Sequence, residues 1–363
     1  MRLLLRIFGF AVLGVVVLVA LLGALAPWSP SGWFALGTVA LAAAALVIKE
    51  PRPRRGLALV SLLLLAILLI VRIVGAGDGM IAMRTLPSGE RARWLSRLVD
   101  EQDLALAGAR VLTHAWRLPP DERVRLVPAM REAYVAMRRD DVVTPSPVVD
   151  TFLGRQSPTA FDALIIEPRA EPKPVPMKFA VLFLHGYAGS YTLECWLLAR
   201  AAREIGALTV CPATDFSGHW RGETGERILR ASLDYLHGRG IERVFLAGLS
   251  NGAMGASALA PHFAKSLEGL ILISGAPASG GNAGLPTLVV HGSHDTMTPI
   301  EAARTFAERT HASLATFDGG HFVLLTKRVE AREAIVDWLM HRTGYHVVNP
   351  AGTWGGSGRT AGH

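Results

Sequence analysis

Apolar and polar positions divide the chain into two regimes. Up to about residue 76 the apolar residues form long unbroken runs, and beyond residue 160 they form short runs separated by stretches of helical period. The run at 7–26 is twenty residues without a charge, about 30 Å of helix at 1.5 Å per residue, which matches the hydrocarbon core of a bilayer. The runs at 33–48 and 57–71 are shorter but apolar on all sides and flanked by charged or aromatic residues. A helix buried in a soluble core would carry a polar stripe. The pattern therefore predicts three membrane helices within residues 1–76. A cleavable signal peptide is the alternative for the first run, with Ala24-Leu25-Ala26 as the small-residue site, against which stand the length of the run and Pro27 directly after it.

Downstream, strand-like apolar runs fall at 163–166, 180–184, 208–211, 244–247, 270–273, 288–291 and 314–317. Amphipathic helical patterns at 193–205, 223–238, 251–265, 299–310 and 327–342 lie between most of them. This alternation predicts an α/β architecture, a mostly parallel sheet with helices on both faces, over residues 151–345. Its ligand site should lie at the carboxyl ends of the strands. The intervening segment, 77–150, reads as helical and juxtamembrane: Ser88 is a candidate N-cap, Pro119-Pro120 a break, and Asp121 the start of a second helix. It is expected either to pack against the α/β unit as a spacer or to rest on the membrane surface or roof the active site. Residues 141–160 and 167–178 read as Pro-rich connections, and the Gly-rich tail 346–363 as disordered.

Charge orients this arrangement. Arg2 and Arg6 precede the first span, and Lys49, Arg52, Arg54 and Arg55 fill the second connection. Basic loops stay cytoplasmic, so the N-terminus is expected inside and the α/β unit outside, in the periplasm if the source is bacterial. The net charge of +7 belongs mostly to the first half: residues 1–159 carry 19 Lys or Arg against 12 acids, and residues 160–345 carry 17 against 18. A near-neutral α/β unit offers no electrostatic footing for nucleic acid. The partner that the charge and apolar patterns point to is the membrane.

The candidate chemistry sits at strand ends. Gly248-Leu249-Ser250-Asn251-Gly252 follows an apolar strand run and precedes a small-residue helix, the strand, turn and helix context of a nucleophile elbow. A serine hydroxyl needs a histidine to take its proton, and the histidine needs a carboxylate to fix its tautomer. Asp295 follows the run at 288–291, and His321 follows the run at 314–317. Asp318 is the rival acid, but three residues from His321 it is badly placed to reach the ring. His294 reads as a polar loop residue, and His185 and His291 as loop-ordering residues. No metal-ligand spacing such as H-E-x-x-H or paired C-x-x-C occurs, and neither a metal nor a cofactor is expected.

With these motifs the segment 161–342 resembles a compact α/β-hydrolase, whose nucleophile, acid and base follow the chain order seen here in Ser250, Asp295 and His321. His185-Gly186-Tyr187-Ala188-Gly189 is similar to the H-G-x-x-G loop of that family. The resemblance implies an oxyanion hole built from the backbone N–H groups of Tyr187 and Asn251. Members often insert a lid after the strand that follows the nucleophile helix, but residues 274–285 are too few to fold as one. The loop 212–224 holds Trp220 and His219 as candidate substrate contacts, with packing as the competing role for Trp220. Cys195 and Cys211 fall at one edge of a parallel sheet, where an oxidising compartment permits a disulfide; two buried thiols are the alternative. The expected function is a membrane-anchored serine hydrolase, esterase-like, that cleaves a carboxylic ester or related acyl bond of a small-molecule or lipid-like acyl substrate through a catalytic triad. Peptidases and thioesterases share the fold, and a non-catalytic membrane-tethered binding protein is the reading from a different class.

Overall fold

The computed structural model describes residues 2–25, 29–77, 79–168 and 178–344. Ala26 and Pro27 at the alternative cleavage site, most of the connection 167–178 and the tail 346–363 lie outside the described residues.

Three helices, α1 (Arg2–Leu25), α2 (Pro30–Val47) and α3 (Pro51–Gly75), are long and apolar enough to cross a membrane. α1 and α3 begin ahead of their uncharged runs, because the basic residues at their starts do not interrupt the backbone ladder. Pro51 starts α3 with its φ already helical. The start of α2 and the end of α3 are tied to the segment that follows the bundle, residues 77–150. Ser29 accepts from Gly32 N at 2.9 Å to cap α2, and its own N–H and hydroxyl donate to Asp103 at 2.7 and 2.8 Å. The Arg72 guanidinium, buried in the last turn of α3, donates to the carbonyls of Leu98, Val99 and Thr144.

The segment after α3 departs from the expected helices at its start. Ile81–Leu86 (β1) and Glu90–Arg91 (β2) form a hairpin, and Ser88 sits in its turn, donating to Thr85 O at 3.0 Å, rather than capping a helix. Ile81, Met83 and Leu86 point inward, and β1 pairs antiparallel with β3 (Phe161–Ile166) from Ile81↔Ile166 to Leu86↔Phe161. The hairpin thus joins the sheet across the boundary expected at 150/151. Helices then follow: α4 (Trp94–Leu98), α5 (Gln102–Ala115), α6 (Pro120–Asp140) and α7 (Val148–Phe152). The break at Pro119-Pro120 falls where expected, with Pro120 in the first turn of α6.

The remaining elements alternate: β4 (Phe179–Leu184), α8 (Thr192–Ala202), β5 (Leu208–Pro212), α9 (Glu223–Gly238), β6 (Arg243–Leu249), α10 (Asn251–Phe263), β7 (Gly269–Ile273), β8 (Thr287–Gly292), α11 (Ile300–Thr310), β9 (Ser313–Phe317), α12 (Val323–Thr326) and α13 (Arg328–Thr343). The sheet order is β2-β1-β3-β5-β4-β6-β7-β8-β9, parallel from β5 to β9 and antiparallel at the β2-β1-β3 edge. Strand alternation sorts side chains into two cores. Val181, Phe183, Phe245 and Ala247 face α8, α13 and the α5–α6 pair, while Leu182, Leu184, Val244 and Leu246 face α9, α10 and α11. Sheet and helices therefore form the layered arrangement expected from the sequence.

One buried acid ties the juxtamembrane helices to this frame. Tyr191 does not cap α8 through its side chain; Glu101 does so from a distance, accepting from Thr192 N at 2.8 Å and Leu193 N at 2.9 Å. Its oxygens also accept from Tyr134 and Ser146. Burial pushes the Glu101 carboxyl up, and these donors oppose that shift.

Cys195 on α8 and Cys211 on β5 face the same core and are joined as a disulfide, with Cα atoms 6.1 Å apart and a separation of 16 residues. Alkylation of the denatured, unreduced protein is expected to leave both cysteines unmodified. Replacing both by Ala should cost about 3 kcal/mol in urea unfolding, the loop-closure value for a ring of that size. Free thiols by mass would remove the bridge.

Candidate active site

The end of β6 brings two backbones into closer contact than a side chain allows. A Cβ on Gly252 would lie 2.0 Å from Leu184 O, and one on Gly248 would lie 2.3 Å from Gly252 O. With those atoms absent, the chain turns from strand to helix in one residue, and Ser250 takes φ 54° and ψ −117°, a conformation that L side chains seldom adopt. Its N–H donates to Ile273 O at 2.9 Å, holding the turn to the adjacent strand. Ser250 is half-buried at the carboxyl edge of the sheet.

The loop after β4 passes beside it. A Cβ on Gly186 would lie 3.3 Å from Ser250 Cβ, so Tyr187 follows directly next to the nucleophile. The N–H groups of Tyr187 and of Asn251, the first residue of α10, have no hydrogen-bond partner among the described residues. Asn251 uses its side chain elsewhere, donating from Nδ2 to Ser217 O at 2.8 Å. Two unpaired amide donors thus flank the serine at a helix N-terminus, where the peptide dipoles favour negative charge.

Asp295 lies in the turn after β8. Its Oδ1 accepts from Met297 N at 2.8 Å and Thr298 N at 2.9 Å, and its Oδ2 accepts from Thr298 Oγ1 at 2.7 Å and His321 Nδ1 at 2.8 Å. Burial pushes this carboxyl up, but the hydrogen bond from His321, the charge that ring carries when protonated and the Thr298 donors outweigh it, and the pKa lies below the ordinary value. His321 thereby presents Nε2 away from the carboxylate. Its ring and the Ser250 hydroxyl are not hydrogen-bonded to one another; such contacts often close only with substrate bound. Asp318 is exposed and pairs with His294 at 3.2 Å, so the rival acid does not reach His321.

Two loop histidines have structural partners. His185 Nδ1 donates to Gly186 O at 2.8 Å and its Nε2 accepts from Thr214 N at 3.1 Å, which fixes the neutral tautomer. His291 donates from Nε2 to Thr298 O at 2.7 Å, behind the acid. Trp220 is a correction: it is 1% exposed, donates from Nε1 to His185 O at 2.9 Å and packs against Gly255, so it builds the core and does not line the site. His219 is exposed on the same loop. What does stand at the surface is an aromatic ridge, Phe152, Phe216 and Tyr187, with ring centroids 5.0 and 4.9 Å apart in sequence along it. The sequence reading missed this ridge, because its members come from three separated segments. It also missed Thr298, which spans Asp295 and Ser274 O, and Glu122 on α6, whose oxygens accept from the N–H groups of His321 and Phe322.

The strand order, the sharp strand-to-helix turn at the end of β6 and the placement of Asp295 and His321 after β8 and β9 are those of an α/β-hydrolase fold. The stretch between β7 and β8 is a short loop with no lid. No family model matches the chain and no curated protein matches it. Solved structures resemble it over its second half. Est1E from Butyrivibrio proteoclasticus shares 18% identity over 51% of this chain and 96% of its own, with a TM-score of 0.43. XC6422 from Xanthomonas campestris, described as a serine hydrolase without a lid, shares 22% over 51% and 91%, with a TM-score of 0.43. The esterase Pf2001 of Pyrococcus furiosus shares 15% over 50% and 87%, with a TM-score of 0.42.

His185 gives a pH test of the frame around the site. Burial lowers its pKa from 6.5 to about 4. The folded state therefore holds it neutral, and the stability this confers is present above pH 6.5 and is lost as pH falls from 6.5 toward 4, by about 1.4 kcal/mol per unit. Urea midpoints at pH 7 and pH 5 are expected to separate more in the parent chain than in His185→Gln; equal separations would contradict the assignment.

Proposed function

We propose that the chain is a membrane-anchored serine hydrolase that cleaves a carboxylic ester or a related acyl bond outside the cytoplasm. The observation that carries this reading is the buried Asp295–His321 bond, after β8 and β9, at the same sheet edge as a strained, half-buried serine after β6 with two unpaired amide donors beside it. Ser250 Oγ attacks the acyl carbon while His321 Nε2 takes its proton. The N–H groups of Tyr187 and Asn251 hold the oxyanion, and loss of one such donor typically costs about 3 to 4 kcal/mol of transition-state stabilisation. His321 then gives the proton to the leaving alkoxide, and an acyl-enzyme on Ser250 remains. Water attacks this ester as His321 accepts its proton, and the carboxylic acid departs as Ser250 regains a hydrogen. Asp295 keeps Nδ1 protonated throughout and stabilises the imidazolium. No cofactor enters the sequence of steps.

The ridge of Phe152, Phe216 and Tyr187 supplies an apolar wall for the acyl group, in place of Trp220. The ends of the spans support the orientation. Ser29 and Arg72, which bond the helical segment leading into the α/β unit, lie at the opposite ends of their helices from Arg6 and from the basic stretch 49–55. If the basic ends face the cytoplasm, the site faces out, where the Cys195–Cys211 bridge is also stable.

The test is hydrolysis of p-nitrophenyl esters from acetate to palmitate by the full chain in detergent. Ser250→Ala should abolish turnover, and Asp295→Asn should lower kcat on the order of 10⁴-fold by presenting the wrong tautomer. A short-chain optimum would define an esterase and a long-chain optimum a lipid substrate. Equal rates in the parent chain and Ser250→Ala would contradict the proposal.

A further inference from the structure

The catalytic loops are held by a part of the chain that lies outside the α/β alternation. The connection between α5 and α6 and the first turn of α6 touch both of them. Thr296, next to the acid, donates from Oγ1 to Arg117 O at 2.9 Å. Two residues into α6, Glu122 reaches the base: its Oε2 accepts from His321 N at 3.2 Å and its Oε1 accepts from Phe322 N at 2.7 Å. Both contacts bridge about 180 residues or more of sequence. Glu122 is 2% exposed, so water does not compete for those amides.

The fit around the carboxylate is tight. A Cβ on Gly320 would lie 2.1 Å from Glu122 Oε2. Residue 320 must therefore lack a side chain for the carboxylate to meet the two amides behind it. Burial pushes the Glu122 carboxyl up, while the Phe322 and His321 amides and the charge of a protonated His321 ring oppose that shift; as an anion, Glu122 favours the imidazolium that forms during acyl transfer. A buried acid with two backbone donors and a glycine shaped around it is more than a helix requires: residues in the first turn of α6 gain from the helix dipole at the surface and need no partner 199 residues away.

We infer that Glu122 is a positioning residue for His321, and that the juxtamembrane pair α5–α6 is a clamp on the acid and base loops and not a spacer. The inference rests on the hydrolase reading above, since it assigns Glu122 to the base of that reaction. It adds a physical connection from the membrane to the chemistry. Arg72 at the end of α3 bonds the chain just before α5, Ser29 at the start of α2 bonds Asp103 within α5, and α6 bonds the catalytic histidine loop.

The experiment compares the full chain in detergent with Glu122→Gln, Glu122→Ala and Gly320→Ala. Two quantities are measured in parallel: ester kinetics, and amide hydrogen exchange over the peptide that holds residues 318–323. Gln keeps the shape of the side chain but offers one acceptor where two are needed, so it reports on the bonds without emptying the site. The expected result is a fall in kcat on the order of tenfold to a hundredfold with KM within about twofold, as for a base displaced by part of an ångström. Exchange over 318–323 should rise in all three variants, with thermal unfolding of the Gln variant close to that of the parent. Faster exchange with unchanged kcat would overturn the inference by making Glu122 a structural brace alone, and unchanged exchange would overturn it at the contact itself. A fall in kcat matched by a fall in folded fraction would overturn it too. A parent chain that hydrolyses no ester, with Ser250→Ala no different, would sink the hydrolase reading instead, while the exchange data would still decide whether Glu122 holds the loop.

Discussion

The constraint on which the site depends is the crossing of two backbones at the end of β6. Strand must become helix within one residue while Leu184 O passes against the turn, and only a residue without Cβ fits at 252. That crossing forces Ser250 into its unusual conformation, points it out of the sheet edge and leaves the first amide of α10 unpaired. Backbone strain of this kind costs about 1 to 3 kcal/mol and persists only where the surroundings fix it. Here they include β7, which accepts from Ser250 N, and the loop after β4, which lies against the serine.

Acid and base are fixed by a different kind of interaction. Asp295 is buried with four donors around it, and burial alone would push its carboxyl up. The donors keep it an anion, and an anion at that point fixes which ring nitrogen of His321 holds the proton. Electrostatics thus does for the histidine what sterics does for the serine. Both solutions lie at the same edge because parallel strands deliver every loop that follows a strand to the same side.

How far the sequence disclosed this follows from the range of each signal. The placement of Ser250, Asp295 and His321 was legible because each follows an apolar strand run, so local pattern puts them at one edge; their roles belong to the proposal. The disulfide partners were legible for the same topological reason. The β1–β2 hairpin was not, because one short strand at a sheet edge, in a segment rich in charged helix formers, has little local signal until β3 is there to pair with it. Glu122 was not legible at all. An acid in the first turn of a helix is ordinary, and its partner lies 199 residues away. Trp220 was misassigned between two roles that sequence cannot separate, since an indole on a loop near a site packs inward or outward according to what lies beneath it; here Gly255 leaves it room. The aromatic ridge is the same problem inverted, three rings from separate segments that only the fold brings together.

The three apolar helices, the α5–α6 pair and the α/β unit are linked by hydrogen bonds, so the candidate site is held at a defined position relative to those helices. Whether that site holds an activated serine is the central claim. The most direct measurement is treatment of the folded chain with a fluorophosphonate, followed by peptide mass spectrometry. The account predicts a single adduct on Ser250 that does not form after denaturation and is lost in His321→Ala. A folded protein with no adduct, or with labelling at another serine, would contradict it.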